Sequence, residues 1–185
     1  MAFITVAGNV TSYAEYTDIL QKDQRLLEAN QILVPAESGF TDVTDFLEDL
    51  LTKSTDRINV KIKASAWWRS YLSYTGTVVS RPELTPDFNP NRIIGRKQDF
   101  TDACVYYCLK EYLLPLIGDF SVEDSQEVQK IRYYEAKFND IFEELLAMAD
   151  WYDADGDGIV EDSEKAYSYA TVRRTRRRSS VVRVR

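Results

Sequence analysis

Apolar residues recur at helical spacing in three long stretches of the chain, separated by polar and turn-forming residues. This periodicity predicts amphipathic helices that each turn one face towards a common core. The first stretch is expected to form one long helix, or two helices broken near Ser54, with Thr41 or Thr44 as the N-cap. The second is expected to end around Pro115, because proline cannot donate the next backbone hydrogen bond. The apolar positions are Val43, Phe46, Leu47, Leu50, Leu51, Ile58, Ile62 and Ala66 in the first stretch, Phe100, Ala103, Cys104, Tyr107 and Leu114 in the second, and Ile131, Tyr134, Phe138, Ile141, Phe142, Leu145 and Ala149 in the third.

Two shorter segments complete the pattern. The N-terminal segment begins with a β-prone run and continues with a helical pattern formed by Tyr16, Ile19, Leu26 and Leu27. Residues 73–97 contain several prolines and other turn formers, which predicts a long irregular connection of the kind that often makes contacts. The predicted fold is therefore mainly α: a helical bundle of three to four long helices with β-prone terminal extensions.

Charge divides the chain into two parts. Residues 171–185 contain seven Arg and no acidic residue, whereas residues 1–170 carry 16 basic and 30 acidic residues, a net charge of −14. We predict a helical domain over the first part and an Arg-rich C-terminal docking tail over the second. An acidic domain repels nucleic acid and membrane surfaces. The chain has neither a long apolar run nor the features of a signal peptide, so a soluble, unexported protein is expected.

Residues 153–164, DADGDGIVEDSE, have the pattern of an EF-hand calcium loop. That loop needs oxygen ligands at positions 1, 3, 5, 7, 9 and 12, with glycine at position 6 for a sharp turn. Gly158 supplies the turn, and the ligand positions hold Asp153, Asp155, Asp157, the Ile159 carbonyl, Glu161 and Glu164. Because a dication relieves the repulsion among five clustered carboxylates, residues 150–165 are predicted to hold calcium as a structural cofactor.

The calcium loop has no partner loop in the sequence, although sensor EF-hands occur as pairs. The nearest candidate, in residues 87–95, has Arg92 where glycine is needed and no closing glutamate. The third long helix is expected to run directly into the loop, and a short helix to leave it. An unpaired loop in this position favours a fixed structural bend over a calcium switch. An acidic turn that binds no metal is the other interpretation.

The aromatic residues and cysteines of the helices are interpreted as packing and contact residues. Adjacent helical residues point about 100° apart, so one of Trp67 and Trp68 is predicted in the core and the other at a partner contact or its rim. Stacking on bases is the less favoured interpretation. Cys104 and Cys108 share one helix face and are predicted to be buried. The chain has no His, no phosphate loop and no nucleophile paired with a base, so an enzyme is not predicted.

The Arg-rich tail carries the residues predicted to dock on a partner. Alternating Val and Arg at its end suits a strand that adds to the edge of a partner's sheet. A disordered, solvated end and contact with nucleic-acid phosphates are the alternatives. The docking residues are Arg173, Arg174, Arg176, Arg177, Arg178, Val182 and Val184.

The order of these features resembles that of the head-to-tail adaptor, or head-completion (neck connector), proteins of tailed bacteriophages. The resemblance covers residues 40–185. It lies in an early helix with an aromatic end, DFLEDLLTKSTDRINVKIKASAWWRSYL, in a second helix, DFTDACVYYCLKEYLLPLI, and in a long helix followed by the calcium loop and tail, KIRYYEAKFNDIFEELLAMADWYDADGDGIVEDSE. It implies a helical virion protein without catalytic residues. The calcium loop is no general feature of that family.

The resemblance also implies partners and a location. Such subunits form rings, typically dodecamers, between the portal protein and the next neck or tail-completion protein, and DNA passes through without specific binding. On this chain it assigns portal docking to residues 171–185 and tail-side contact to residues 73–97. It implies synthesis in the host cytoplasm, localisation in the phage neck and no membrane partner. Two other classes remain open: a calcium-binding regulatory or dockerin-like interaction module, and an Arg-tailed nucleic-acid-binding protein.

Overall fold

The computed structural model describes residues 3–23, 39–74, 87–117 and 126–165, which are mainly helical. The mainly α class and the β-prone N-terminal extension are therefore confirmed, whereas Leu26, Leu27 and the C-terminal extension lie outside the described residues. None of the helices in these ranges is long and apolar enough to cross a membrane. The elements are β1 (Ile4–Val6), β2 (Asn9–Ser12), α1 (Tyr16–Lys22), α2 (Val43–Ala64), α3 (Ala66–Tyr74), the 3-10 turn Pro90–Arg92, α4 (Lys97–Cys108), the π turn Leu109–Leu113, α5 (Leu114–Ile117), α6 (Gln126–Met148) and α7 (Asp162–Lys165).

The N-terminal hairpin packs on the helices through specific hydrogen bonds. Strands β1 and β2 are antiparallel, and the two residues between them, Ala7 and Gly8, both have positive φ, 51° and 81°. Such a turn matches the right-handed twist of a hairpin. Beyond β2, the Thr101 hydroxyl donates to the Tyr13 carbonyl at 2.7 Å, and the Tyr13 N–H donates to the Thr55 hydroxyl at 3.1 Å. The N-terminal segment is thus attached to both α2 and α4.

Helix α2 is continuous through Ser54, so of the two alternatives predicted, one long helix or two helices broken near Ser54, the break near Ser54 is wrong. The buried Ser54 hydroxyl donates to the Leu50 carbonyl at 2.7 Å, a bond that keeps the serine inside the helix. The chain breaks at Ser65 instead, where ψ is 160° and the hydroxyl accepts a bond from Trp68 N–H at 3.2 Å. The N-cap is also different from the two predicted threonines, because the Asp42 carboxylate accepts the bond from Thr44 N–H.

Helix α4 does not end at Pro115. It continues through the π turn into α5, which contains Pro115 and ends at Ile117. In the π turn, Leu114 N–H bonds to the Leu109 carbonyl five residues earlier. The wider turn alters the backbone ahead of the proline, so the ring is accommodated in the continuing helix.

The core lies where α4 contacts α2 and α6. Cys104 and Cys108 are both fully buried there, as predicted, and burial raises the pKa of the Cys104 thiol to about 12. From α6, Tyr134, Phe138 and Leu145 are buried, while Ile131, Ile141 and Phe142 pack against the core at its edge. The apolar stripe predicted for α6 therefore faces the core.

Both tryptophans of α3 are buried, so the prediction that one of them faces a partner is wrong. Trp67 and Trp68 are 6% and 4% exposed. Their side chains belong to an aromatic cluster. Both tryptophans are covered because later segments of the chain add aromatic side chains that pack against them. The cluster consists of Trp67, Trp68, Tyr71, Phe88, Trp151 and Tyr152.

Candidate metal site

The chain turns out of α6 before it reaches the calcium loop. Helix α6 ends at Met148, and Ala149 takes a left-handed conformation, with φ of 52°. Trp151 is fully buried, and its indole N–H donates to the Leu145 carbonyl in the last turn of α6 at 2.7 Å. The helix therefore does not run directly into the loop: a buried tryptophan holds a bend of four residues between Met148 and Asp153.

Asp153, the first predicted ligand, is 3% exposed and holds the turn of the loop. Its carboxylate accepts hydrogen bonds from the N–H groups of Gly156, at 2.5 Å, and Gly158, at 2.8 Å. Both glycines have positive φ, 87° and 90°, which explains glycine at these positions. Burial acts to raise the pKa of Asp153, but the donors of Gly158 and Gly156 outweigh it and hold that pKa below its usual value.

The next two carboxylates support the exposed side of the loop. Asp155 accepts a bond from Asp157 N–H at 3.1 Å, and Asp157 accepts one from Ile159 N–H at 2.8 Å. The Ile159 side chain is 63% exposed. An isoleucine pointing into water is explained if the residue is present for its carbonyl oxygen, which is the predicted ligand.

Glu164 closes the loop from α7. It is 7% exposed, and one carboxylate oxygen accepts from Ala154 N–H at 2.7 Å while the other accepts from Glu161 N–H at 2.9 Å. The last ligand position is thereby bonded back to the start of the loop. The predicted helix at the end of the loop is present as α7, which begins at Asp162, inside the loop, and is described as far as Lys165.

Three of the predicted ligands come together in space. Carboxylate oxygens of Asp153, Asp155 and Glu164 lie within 4.8 Å of one another. Calcium binds oxygens at about 2.3–2.6 Å, so two ligands of one ion are up to about 5 Å apart, and this group fits calcium. Asp157 and Glu161 are exposed and lie outside the group. The donor set, all hard oxygen, is suited to calcium rather than to zinc.

Arg96 fixes the position of the bend, and sequence reasoning missed it. Its guanidinium donates to Asp150 at 2.6 Å, and to Asp99 and Glu144 at 3.1 Å each. The hydrogen bond with Asp150 raises the pKa of Arg96. Burial alone would lower that pKa, but its effect is smaller. Nothing in the spacing of Arg96 and Asp150, 54 residues apart, indicates this pair.

The predicted docking residues of the tail, 173–184, lie outside the described residues, as do residues 75–86 of the 73–97 connection. Its described end, from Asp87, is irregular apart from the 3-10 turn, as predicted, and Phe88 and Ile93 anchor it in the core. Comparison of the chain with protein families, curated proteins and solved structures gives no match.

Proposed function

We propose that this chain is a virion structural protein, a ring-forming adaptor that joins the portal of a tailed phage to its tail, and that calcium acts in it as a structural staple. In this proposal the long helices α2, α4 and α6 form the bundle of the subunit. The Arg-rich tail docks on the portal protein, and residues 73–97 contact the next neck protein.

The attachment of the loop to the core is the observation that supports a staple. Asp153 N–H donates to the Arg92 carbonyl at 2.9 Å, and the preceding Trp151 and Tyr152 are buried in the aromatic cluster. A calcium switch needs an element with two arrangements of similar free energy. A loop whose first residues are part of the core favours a single arrangement, in which calcium fixes the direction of α7 and the chain after it.

Charge supports the adaptor proposal. Residues 1–170 have a net charge of −14, and like charge keeps a ring of such subunits from binding DNA that passes through it. The seven Arg of residues 171–185 are complementary to an acidic partner surface. Opposite signs on the two parts also suit docking of the tail on an adjacent subunit.

The mass of the purified full-length chain in solution, with calcium and with a chelator, tests this function. A large closed ring in calcium is expected, because the adaptor acts as a ring. A monomer under both conditions, at concentrations of tens of micromolar or more, contradicts the adaptor proposal. A monomer that exposes apolar surface to a dye only in calcium supports a regulatory or dockerin-like module instead.

A variant that lacks residues 171–185 tests the tail. The adaptor proposal expects smaller assemblies or no portal binding, with little change in DNA affinity. An Arg-tailed nucleic-acid-binding protein expects DNA affinity that falls steeply with salt and disappears in the truncated variant.

A further inference from the structure

Residues 92–95, which supply none of the predicted calcium ligands, lie beside the residues that lead into the calcium loop. Trp151 and Asp153 are joined to this segment by three main-chain hydrogen bonds. The Trp151 carbonyl accepts from Ile94 N–H at 3.0 Å and from Gly95 N–H at 3.2 Å, and Asp153 N–H donates to the Arg92 carbonyl. Between these bonds, Ile93 and Tyr152 form an antiparallel bridge.

Gly95 allows the two backbones to approach this closely. A Cβ atom at residue 95 would lie 2.5 Å from the Asp150 carbonyl oxygen and 2.9 Å from the Trp151 Cα atom. Backbone atoms cannot move aside as a flexible side chain can. Any larger residue at this position therefore has to separate the segment from the bend that precedes the first calcium ligand.

Arg92 contacts the loop itself. Its guanidinium donates a hydrogen bond to the Ala154 carbonyl, between the first two predicted ligands. A Cβ atom on Gly156 would be 3.7 Å from the same guanidinium. Arg92, which stands where residues 87–95 would need glycine to form a calcium loop, is therefore in contact with the predicted loop.

We propose that residues 89–96 hold the entry to the calcium loop in the position needed to bind the ion, with Gly95 and Arg92 as the positioning residues. This inference rests on the calcium binding proposed above. Positioning groups outside the ligand set orient the ligands and contribute to metal affinity. Because linkage is reciprocal, calcium in turn holds residues 89–96 on the core. These residues end the 73–97 connection, so calcium fixes the base of the segment proposed to contact the next neck protein.

Calcium titration of the full-length chain by calorimetry tests this inference with calcium alone as the ligand. Gly95→Ala is expected to weaken calcium binding about tenfold or more, the size typical of lost positioning groups. Arg92→Lys keeps the positive charge, so a loss of about threefold or more reports positioning rather than charge. Arg132→Lys, on the exposed surface of α6, is the matched control and is expected to bind like the wild type.

Amide hydrogen exchange, measured with and without calcium, gives a second readout. It reports protection of individual amides, whereas a change in overall stability affects the whole domain. Calcium is expected to slow exchange at Ile94 and Gly95 in the wild type, together with Gly156 and Gly158 of the loop. Protection of the loop amides alone overturns the inference, as does calcium affinity within twofold of the wild type in both positioning variants. If Gly95→Ala fails to fold, the calcium affinity of Arg92→Lys and the exchange data test the inference. A wild type that binds no calcium refutes the proposed calcium staple itself, and this measurement needs no variant.

Discussion

Substitution of Glu164 by Gln separates the two roles of the residue that closes the loop. As a hydrogen-bond acceptor, Glu164 holds α7 to the start of the loop through Ala154 N–H and also accepts from Glu161 N–H, directly before α7. As a carboxylate, it is the predicted twelfth-position ligand, which calcium loops use in bidentate form. The substitution retains one oxygen acceptor and the size of the side chain, but it removes the charge.

Without calcium, the effects of Glu164→Gln oppose each other. One of the backbone N–H donors loses its acceptor, which costs about 1–3 kcal/mol. The carboxylate oxygens of Asp153, Asp155 and Glu164 lie within 4.8 Å, and each repulsion at that distance amounts to about 1 kcal/mol in water and more in the buried part of the loop. Removal of two such repulsions offsets the lost bond, so the free energy of unfolding in a chelator should fall by no more than about 1 kcal/mol.

With calcium, the variant should lose the stabilisation that the ion gives the wild type. For a site with a Kd of about 10 µM, calcium at about 1 mM adds roughly 2.7 kcal/mol. In a chain of this size that corresponds to a rise in Tm of about 5–10 °C. Glu164→Gln should show little of this rise, and Glu143→Gln, an exposed carboxylate of α6, should show all of it.

Thermal unfolding followed by circular dichroism, in chelator, calcium and magnesium, measures these shifts. An equal calcium shift in the wild type and in Glu164→Gln would refute the reasoning, because the ion would then act at another site. A wild type with no shift at millimolar calcium would mean that the loop is an acidic turn without a metal.

Three further predictions follow from the geometry of the described residues. Ala7→Gly should stabilise the chain by about 0.5–1 kcal/mol in chemical denaturation, because Ala7 is left-handed, with φ of 51°; a loss of stability would contradict that conformation. Arg96→Gln should destabilise it by about 1–2 kcal/mol through loss of three partly exposed ion pairs, and the difference should shrink in high salt; a difference that salt does not change would contradict an electrostatic role. The folded protein holds the pKa of Asp153 below its ordinary value of about 4, so its contribution to stability is present above that value and is lost as the pH falls below it. In chelator, the stability of Asp153→Asn should therefore depend less on acid pH than that of the wild type, and an unchanged dependence would count against the loop geometry.

The helical elements could be predicted from the sequence because their apolar residues have a strict period. Phe100, Cys104 and Tyr107 are buried in α4, as their spacing indicates, and the stripe of α6 faces the same core. The boundaries were less predictable, since local bonds decide them. Ser54 stays helical because its hydroxyl bonds within the helix, whereas Ser65 caps a new helix with the same kind of hydroxyl.

The turn of the loop could also be predicted, because a calcium loop is contiguous and its glycines have fixed conformational roles, whereas the calcium ligand set stays a prediction. Asp153, Gly158 and Glu164 have the positions and contacts that the pattern predicts. The support of the loop could not be predicted, because it depends on residues that are distant in sequence. Arg92 contacts Ala154, and Trp67 contacts Trp151 beside the loop, and no local pattern in the sequence indicates either contact.

The two sides of the calcium loop are held with unequal strength, and this difference indicates what the ion does. The incoming side is held by the buried Trp151 and by main-chain bonds to residues 92–95. The outgoing side, from Asp157 to Glu161, is exposed or half-buried, and in the described residues it returns to the start of the loop through the carboxylate of Glu164. In our proposal, calcium bridges the two sides, so it would reinforce the contact with residues 92–95 and would constrain the more weakly held α7. The proposed staple thus acts where the acidic part of the sequence leads into the Arg-rich residues 171–185.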